Sequence, residues 1–308
     1  MSELAVGIPT RSPLRGSVYR VLARLGGAGV FELFEERFGR RFVWVPTIDS
    51  LTKLGDVRAV PLLEAKLVEL VGGSASRKDT WPMLEAIRRG PDASDMSAIA
   101  ELVAALARFG RPTRSGLLEA LYTYPRASRE LREECARAAS VAVDAGTFEL
   151  ACAGLRDPDE HVRYAFVEAL YFLGVRGVVG ALAEVMATRG DSTSDGRQAA
   201  WRLEQLTGTD DLGSALALGA TFAPGVCHRR GEPIDYVRLV RESASINDFL
   251  LSNEVELRLG TRLGAPEPPL RAPAVEVMQH EAEAWLATNG ARFERGGHYR
   301  FATRIDLA

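Results

Sequence analysis

Leu155-Arg-Asp-Pro-Asp-Glu-His-Val-Arg-Tyr-Ala-Phe-Val-Glu-Ala-Leu-Tyr-Phe-Leu-Gly174 is followed directly by Val175-Arg-Gly-Val-Val-Gly-Ala-Leu182. The tract reads as a helix, a tight turn and a second helix. Val162, Ala165, Phe166, Ala169, Leu170 and Leu173 recur at helical period and form one apolar stripe. Pro158 suits a first helical turn because its missing N–H forfeits no bond. Asp157 is placed to cap, while Asp159 and Glu160 oppose the positive end of the macrodipole. Gly174 supplies the left-handed residue that closes a helix. Val178, Val179, Leu182, Val185 and Met186 then form the stripe of the second helix.

The unit recurs. Leu54-Gly-Asp-Val-Arg-Ala-Val-Pro-Leu-Leu63 repeats the turn and the start of a second helix far upstream. Val60, Leu63, Leu67, Leu70 and Val71 fall on one face, as do Ile99, Leu102, Val103, Leu106 and Phe109. Glycines that close a helical stripe are expected at Gly26, Gly55, Gly110, Gly146, Gly174 and Gly208, mostly at intervals of about 30 to 36 residues, the length of a helix-pair repeat. The expected fold is all-α, an α-solenoid of stacked antiparallel helix pairs with roughly five or six pairs between residues 13 and 208. An irregular segment at 72–95 carries two turn-rich stretches around a short helix from Trp81 to Arg89. After Gly208 the pattern weakens into a divergent helical continuation over 209–308. It begins with a breaker-rich loop at 221–233, and helical periodicity returns at 234–259 and 272–287. The glycine-rich end from Ala291 to Ala302 predicts a short strand or hairpin that caps the stack.

The residues of the opening tract resemble HEAT-type repeats, in particular the short variety found in phycobilin-lyase-like and other bacterial repeat proteins. Asp157, Asp159, Val162, Arg163, Ala165, Ala169, Leu170, Leu173 and Gly174 stand where that pattern has them. The resemblance implies that the Asp caps the first helix and that Arg163 bonds toward a neighbouring repeat. Glu254-Val-Glu-Leu-Arg-Leu-Gly-Thr261, Trp285 and Arg292-Phe-Glu-Arg-Gly-Gly-His-Tyr-Arg300 resemble the end of a group of proteobacterial HEAT-repeat proteins often encoded near type VI secretion genes. That ending has Arg where this chain has His298.

The 308 residues are 46% hydrophobic and 7% aromatic, enough for a large core, and the many alanines favour helix over sheet. A net charge of −3 offers no general attraction to nucleic acid or an anionic membrane. Cys135, Cys152 and Cys227 show neither paired nor metal-ligand spacing, which fits a reducing, cytoplasmic setting. No targeting segment or apolar run of roughly 18 residues is visible.

Chemistry is sparse. His161, His228, His280 and His298 have no zinc-ligand spacing, and no Walker loop, dinucleotide fingerprint or nucleophile elbow occurs. No catalytic residue, cofactor or metal is therefore expected. His161, Tyr164, Glu168 and Tyr171 share the helix face opposite the buried stripe and form a candidate partner-binding strip, against the alternative of packing on a neighbouring repeat. Cys227-His228-Arg229-Arg230 is the most reactive-looking cluster, with His228, Arg229 and Arg230 as candidate partner contacts. Arg292, Arg295, His298 and Arg300 form a basic cluster among aromatics that Glu294, Asp306 and an acidic helix with Glu276, Glu281 and Glu283 are placed to neutralise. The expected function is a non-enzymatic protein-binding scaffold or adaptor, with a secreted effector as the partner that the resemblance implies. The alternative is a HEAT-like nucleic-acid-binding or base-repair protein.

Overall fold

The computed structural model describes residues 19, 22–23, 29–38, 45–71, 93–111, 115–142, 145–174, 176–246, 249–260, 263, 275–300 and 303–305. The described part is mostly helical, and sheet is confined to two hairpins of two-residue strands. The helices are α1 (Val30–Phe38), α2 (Val45–Leu54), α3 (Ala59–Val71), α4 (Ala93–Arg108), α5 (Ser115–Tyr122), α6 (Arg129–Ala139), α7 (Ala145–Gly154), α8 (Glu160–Leu173), α9 (Val178–Arg189), α10 (Ser194–Thr207), α11 (Leu212–Ala220), α12 (Tyr236–Ile246), α13 (Phe249–Leu259) and α14 (Val275–Asn289). The first hairpin pairs β1 (His228–Arg229) with β2 (Glu232–Pro233), and the second pairs β3 (Tyr299–Arg300) with β4 (Thr303–Arg304), both antiparallel. The expected helix from Trp81 to Arg89, Gly26 and most of the connection at 260–273 lie outside the described residues. No described helix is long and apolar enough to cross a membrane.

The chain divides into two compact units, residues 1–138 and 139–308, so the change of pattern at residue 208 falls inside the second. In the first unit α4 is the central element, buried almost continuously from Ala98 to Ala107 and in contact with α2, α3 and α5. Ile48, Leu51, Leu63, Leu67, Ile99 and Leu102 are fully buried and make its core. Gly55, at φ +69°, closes α2 as its place in the upstream echo requires.

The second unit contains the opening tract. Asp159, extended at φ −84° and ψ 125°, caps α8 by accepting a bond from the His161 N–H, and Gly174 at φ +64° closes it. The expected cap, Asp157, instead accepts the Asp159 N–H at 2.9 Å one step earlier. Pro158 thus precedes the helix, because the Asp157 side chain holds Pro158 and Asp159 in a turn. Val162, Phe166, Ala169, Leu170 and Leu173 are fully buried as the stripe predicts. Each large member contributes roughly 1.5–3 kcal/mol relative to exposure. Gly146, expected to close a helix, lies inside the first turn of α7.

Between α8 and α11 each helix touches the next and the next but one. Glycines allow the closest approaches. A Cβ on Gly154 would fall 2.1 Å from the Phe166 ring, one on Gly177 2.5 Å from Phe148, and one on Gly219 2.5 Å from Val179. The remaining helices form a second core of Tyr236, Leu239, Val240, Val255, Leu259, Met278, Leu286 and Tyr299. Sequence periodicity over 234–259 resolves into two helices, α12 and α13. The breaker-rich stretch at 221–233 contains the first hairpin, whose two-residue turn puts Arg230 at φ +50° and Gly231 at φ +79°. Two positive φ values are what a type I′ turn requires. The expected C-terminal hairpin is present as β3 and β4.

Candidate functional site

Three polar ties join α8 to α10. Glu160 accepts the Ser194 N–H and hydroxyl, both at 2.6 Å, and these bonds hold its carboxyl below the usual range. Arg163 donates from Nε to Asp195 at 2.6 Å and from Nη1 to the Asp157 and Pro158 carbonyls. Burial works against the Asp195 carboxylate, but the hydrogen bonds from Arg163 and Thr193 and the Arg163 charge together outweigh it, and its pKa is lowered. Glu168 accepts from Gln198 and, through both oxygens, from Arg202. These bonds join α8 to α10 directly.

The candidate strip on α8 is split by the same packing. His161 is exposed and Tyr164 is 38% exposed. Burial, then the neighbouring Glu168 charge, push the Tyr164 phenol up. Glu168 is committed to α10. Tyr171 is fully buried, which corrects its place on an outward face. The Arg202 guanidinium lies 4.1 Å from its ring centroid, and its hydroxyl donates to Glu254 at 3.0 Å. Burial pushes the Tyr171 phenol up, and Glu254 adds to the effect.

Tyr171 opens onto a buried polar cluster that the sequence did not reveal. Arg258, 1% exposed, donates from Nε to Glu254 at 3.1 Å and from Nη1 to Cys227 Sγ at 3.5 Å. Burial opposes its charge, but Glu254 and then the neighbouring thiol and phenols raise its pKa well above the usual guanidinium value. Cys227 Sγ lies 2.8 Å from His298 Nδ1, and both residues are buried. The Cys227 N–H donates to the Gly296 carbonyl, its carbonyl accepts the Ile234 N–H, and the Gly296 N–H donates to the Ile234 carbonyl. These bonds hold the C-terminal segment against the first hairpin. Gly174 packs beside the thiol, with an added Cβ placed 3.1 Å from Sγ. The cluster pairs a nucleophile with a base, yet it is closed on every side by core. It ties α8, α13 and both hairpin segments together.

The sequence neighbours of Cys227 turn elsewhere. His228 stacks on Phe222 with ring centroids 3.9 Å apart, and its Nδ1 lies 2.9 Å from the Val226 carbonyl. Burial lowers its pKa. Arg229 faces Glu242 at 3.8 Å. Arg230 is exposed at the hairpin tip. Cys227 thus meets His298 and not its neighbour His228, because successive extended residues point to opposite sides. In the C-terminal basic cluster, Arg295 pairs with Glu232 at 2.8 Å and Glu294 with Arg304, while His298 is in the core. The α14 acid Glu283 pairs with Arg241 of α12 instead. Asp306 lies outside the described residues.

One surface feature lies outside the residues singled out from the sequence. Helix α11, Leu-Gly-Ser-Ala-Leu-Ala-Leu-Gly-Ala, carries no charge and buries only Ala215 and Gly219. Gly213, Ala217 and Ala220 are exposed, and Leu216 is 44% exposed. Composition gave a hint, since a helix so apolar should be covered all round. Among the described residues, no group of three or more His, Cys, Asp or Glu side chains is arranged to hold a metal ion. No protein-family model matches the chain, and no curated protein matches it.

Proposed function

We propose that the chain is a non-enzymatic, cytoplasmic protein-binding scaffold built as a HEAT-like solenoid. Its partner would dock on the surface of the second helices. The solenoid reading is supported by the regular contacts of α8 to α11 and by the seating of Phe148 on Gly177 and Val179 on Gly219. These contacts join α7 to the start of α9, and α9 to α11. Arg163 reaching from one helix pair to Asp195 in the next fits the same arrangement.

The observation that carries the binding role is the uncovered apolar face of α11, because an exposed apolar patch marks an interaction surface. Nucleic-acid binding draws no comparable support: Arg163 and Arg202, the arginines between α8 and α10, are each neutralised by a carboxylate. The narrower role of adaptor, chaperone or immunity protein for a secreted effector rests on the sequence resemblance. A photo-crosslinking residue at Leu216, with exposed Glu204 as the control position, tests the proposal in the native cell. A discrete protein adduct at 216 and none at 204 is the expected result. No adduct at either position, together with a salt-sensitive shift on duplex DNA, would reverse the reading.

A further inference from the structure

Resting on the reading that α11 binds protein, we propose that its occupant is the same helix of a second copy of this chain, crossing antiparallel about a two-fold axis near Leu216. The outward face is formed by Gly213, Leu216, Ala217 and Ala220, on the side of the helix away from buried Ala215 and Gly219. Three of these residues are small enough to let a second backbone approach, and Leu216 supplies the apolar contact at the centre.

The charges at the two ends of the helix select the occupant. Asp210 and Asp211 are exposed at the N-terminal end, where Asp211 caps α11 by accepting the Ser214 N–H at 2.7 Å. The exposed Arg176 stands at the other end and donates to the Ala220 carbonyl at 3.1 Å. The surface is therefore acidic at one end, apolar in the middle and basic at the other end. A two-fold interface requires a patch complementary to its own inverted copy. Inversion about Leu216 sets Ala220 of one copy opposite Leu212 of the other, which brings each Arg176 toward the partner's Asp210. The helix spans about 12 Å at 1.5 Å per residue, so both charged ends are engaged at once. Antiparallel crossing also opposes the two macrodipoles favourably. A single helix pair buries a small area, so the dimer is weak and exchanging rather than obligate.

Sedimentation velocity of the full chain over a wide concentration range reads the equilibrium. The wild type should pass from monomer to dimer as concentration rises. Leu216→Asp sets two carboxylates face to face at the axis and should leave only monomer. Asp210→Arg and Arg176→Asp each break two symmetry-related pairs and should weaken association about five- to thirtyfold. Combining them inverts both ends and should restore it, a rescue that a folding defect would not give. Unchanged circular dichroism confirms that each variant is folded. Wild type that stays monomeric throughout, or a double reversal weaker than either single one, overturns the proposal. The crosslinker at Leu216 separates the two readings. An adduct of twice the chain mass supports self-association, and an adduct only with a different protein sinks it while leaving the scaffold role standing. No adduct at all removes both.

Discussion

Replacing Arg258 by Met removes the guanidinium that pairs with Glu254 in the interior of the second unit. Glu254 is 4% exposed, and the Tyr171 hydroxyl would be its remaining donor among the described residues. Removing one member of a buried ion pair costs about 3–5 kcal/mol, because the other charge is left desolvated and unpaired. For a unit of this size that is a fall in midpoint of about 6–20 °C, at roughly 2–4 °C per kcal/mol. Glu254→Gln alone strands Arg258 and should cost a similar amount. The double variant removes both charges while the introduced amide can still accept the Tyr171 hydroxyl, so it should be no less stable than either single variant. Urea unfolding followed by tryptophan fluorescence measures this cycle, with Trp201 and Trp285 both in the second unit. If the two single costs simply add in the double variant, the pair is not coupled and the reasoning about this cluster fails.

Gly174→Ala should destabilise the chain by about 1–2 kcal/mol, since Gly174 sits at φ +64° and the new methyl would press on Cys227 Sγ at 3.1 Å; thermal melts would show it. The lowered pKa of His228 also sets a pH dependence. The unfolded imidazole protonates near the usual value while the folded one resists, so this contribution to stability is present above that value and is lost as pH falls below it. Denaturant midpoints taken through mildly acidic pH should therefore decline, and His228→Phe should flatten the decline; equal slopes in both proteins would refute the assignment.

Local structure was legible wherever its determinants lie within one or two turns. The stripe of α8, the closure at Gly174, the second helix from Val178 and the C-terminal hairpin all follow from short-range pattern. The cap moved from Asp157 to Asp159 because two aspartates flank Pro158 and their competing turns are settled by geometry alone. Tyr171 was misplaced for a different reason. Helical spacing identifies the face opposite a known stripe, but it cannot reveal that Glu254, 83 residues later, lies against that face. The same blindness hid the contact between Cys227 and His298, which are 71 residues apart. The resemblance implied that Arg163 bonds toward a neighbouring repeat; in the structure it reaches Asp195 of α10, 32 residues later, a partner that local spacing does not name.

The tip of the first hairpin leaves its mark on how α11 is displayed. Arg230 and Gly231 donate their amides to the Gln205 and Leu206 carbonyls at 2.7 and 2.8 Å, and Gly208 leaves room for the Arg230 backbone to pass 3.2 Å from where a Cβ would stand. The excursion from 209 to 229 is thus fastened at its root by main-chain atoms. Such a clasp is indifferent to most of the side chains it carries, provided that positions 208 and 231 stay glycine and positions 215 and 219 stay small. The outward residues of α11 can accordingly be exchanged without touching its buried Ala215 and Gly219, and a change of binding preference can arise there without renegotiating the core.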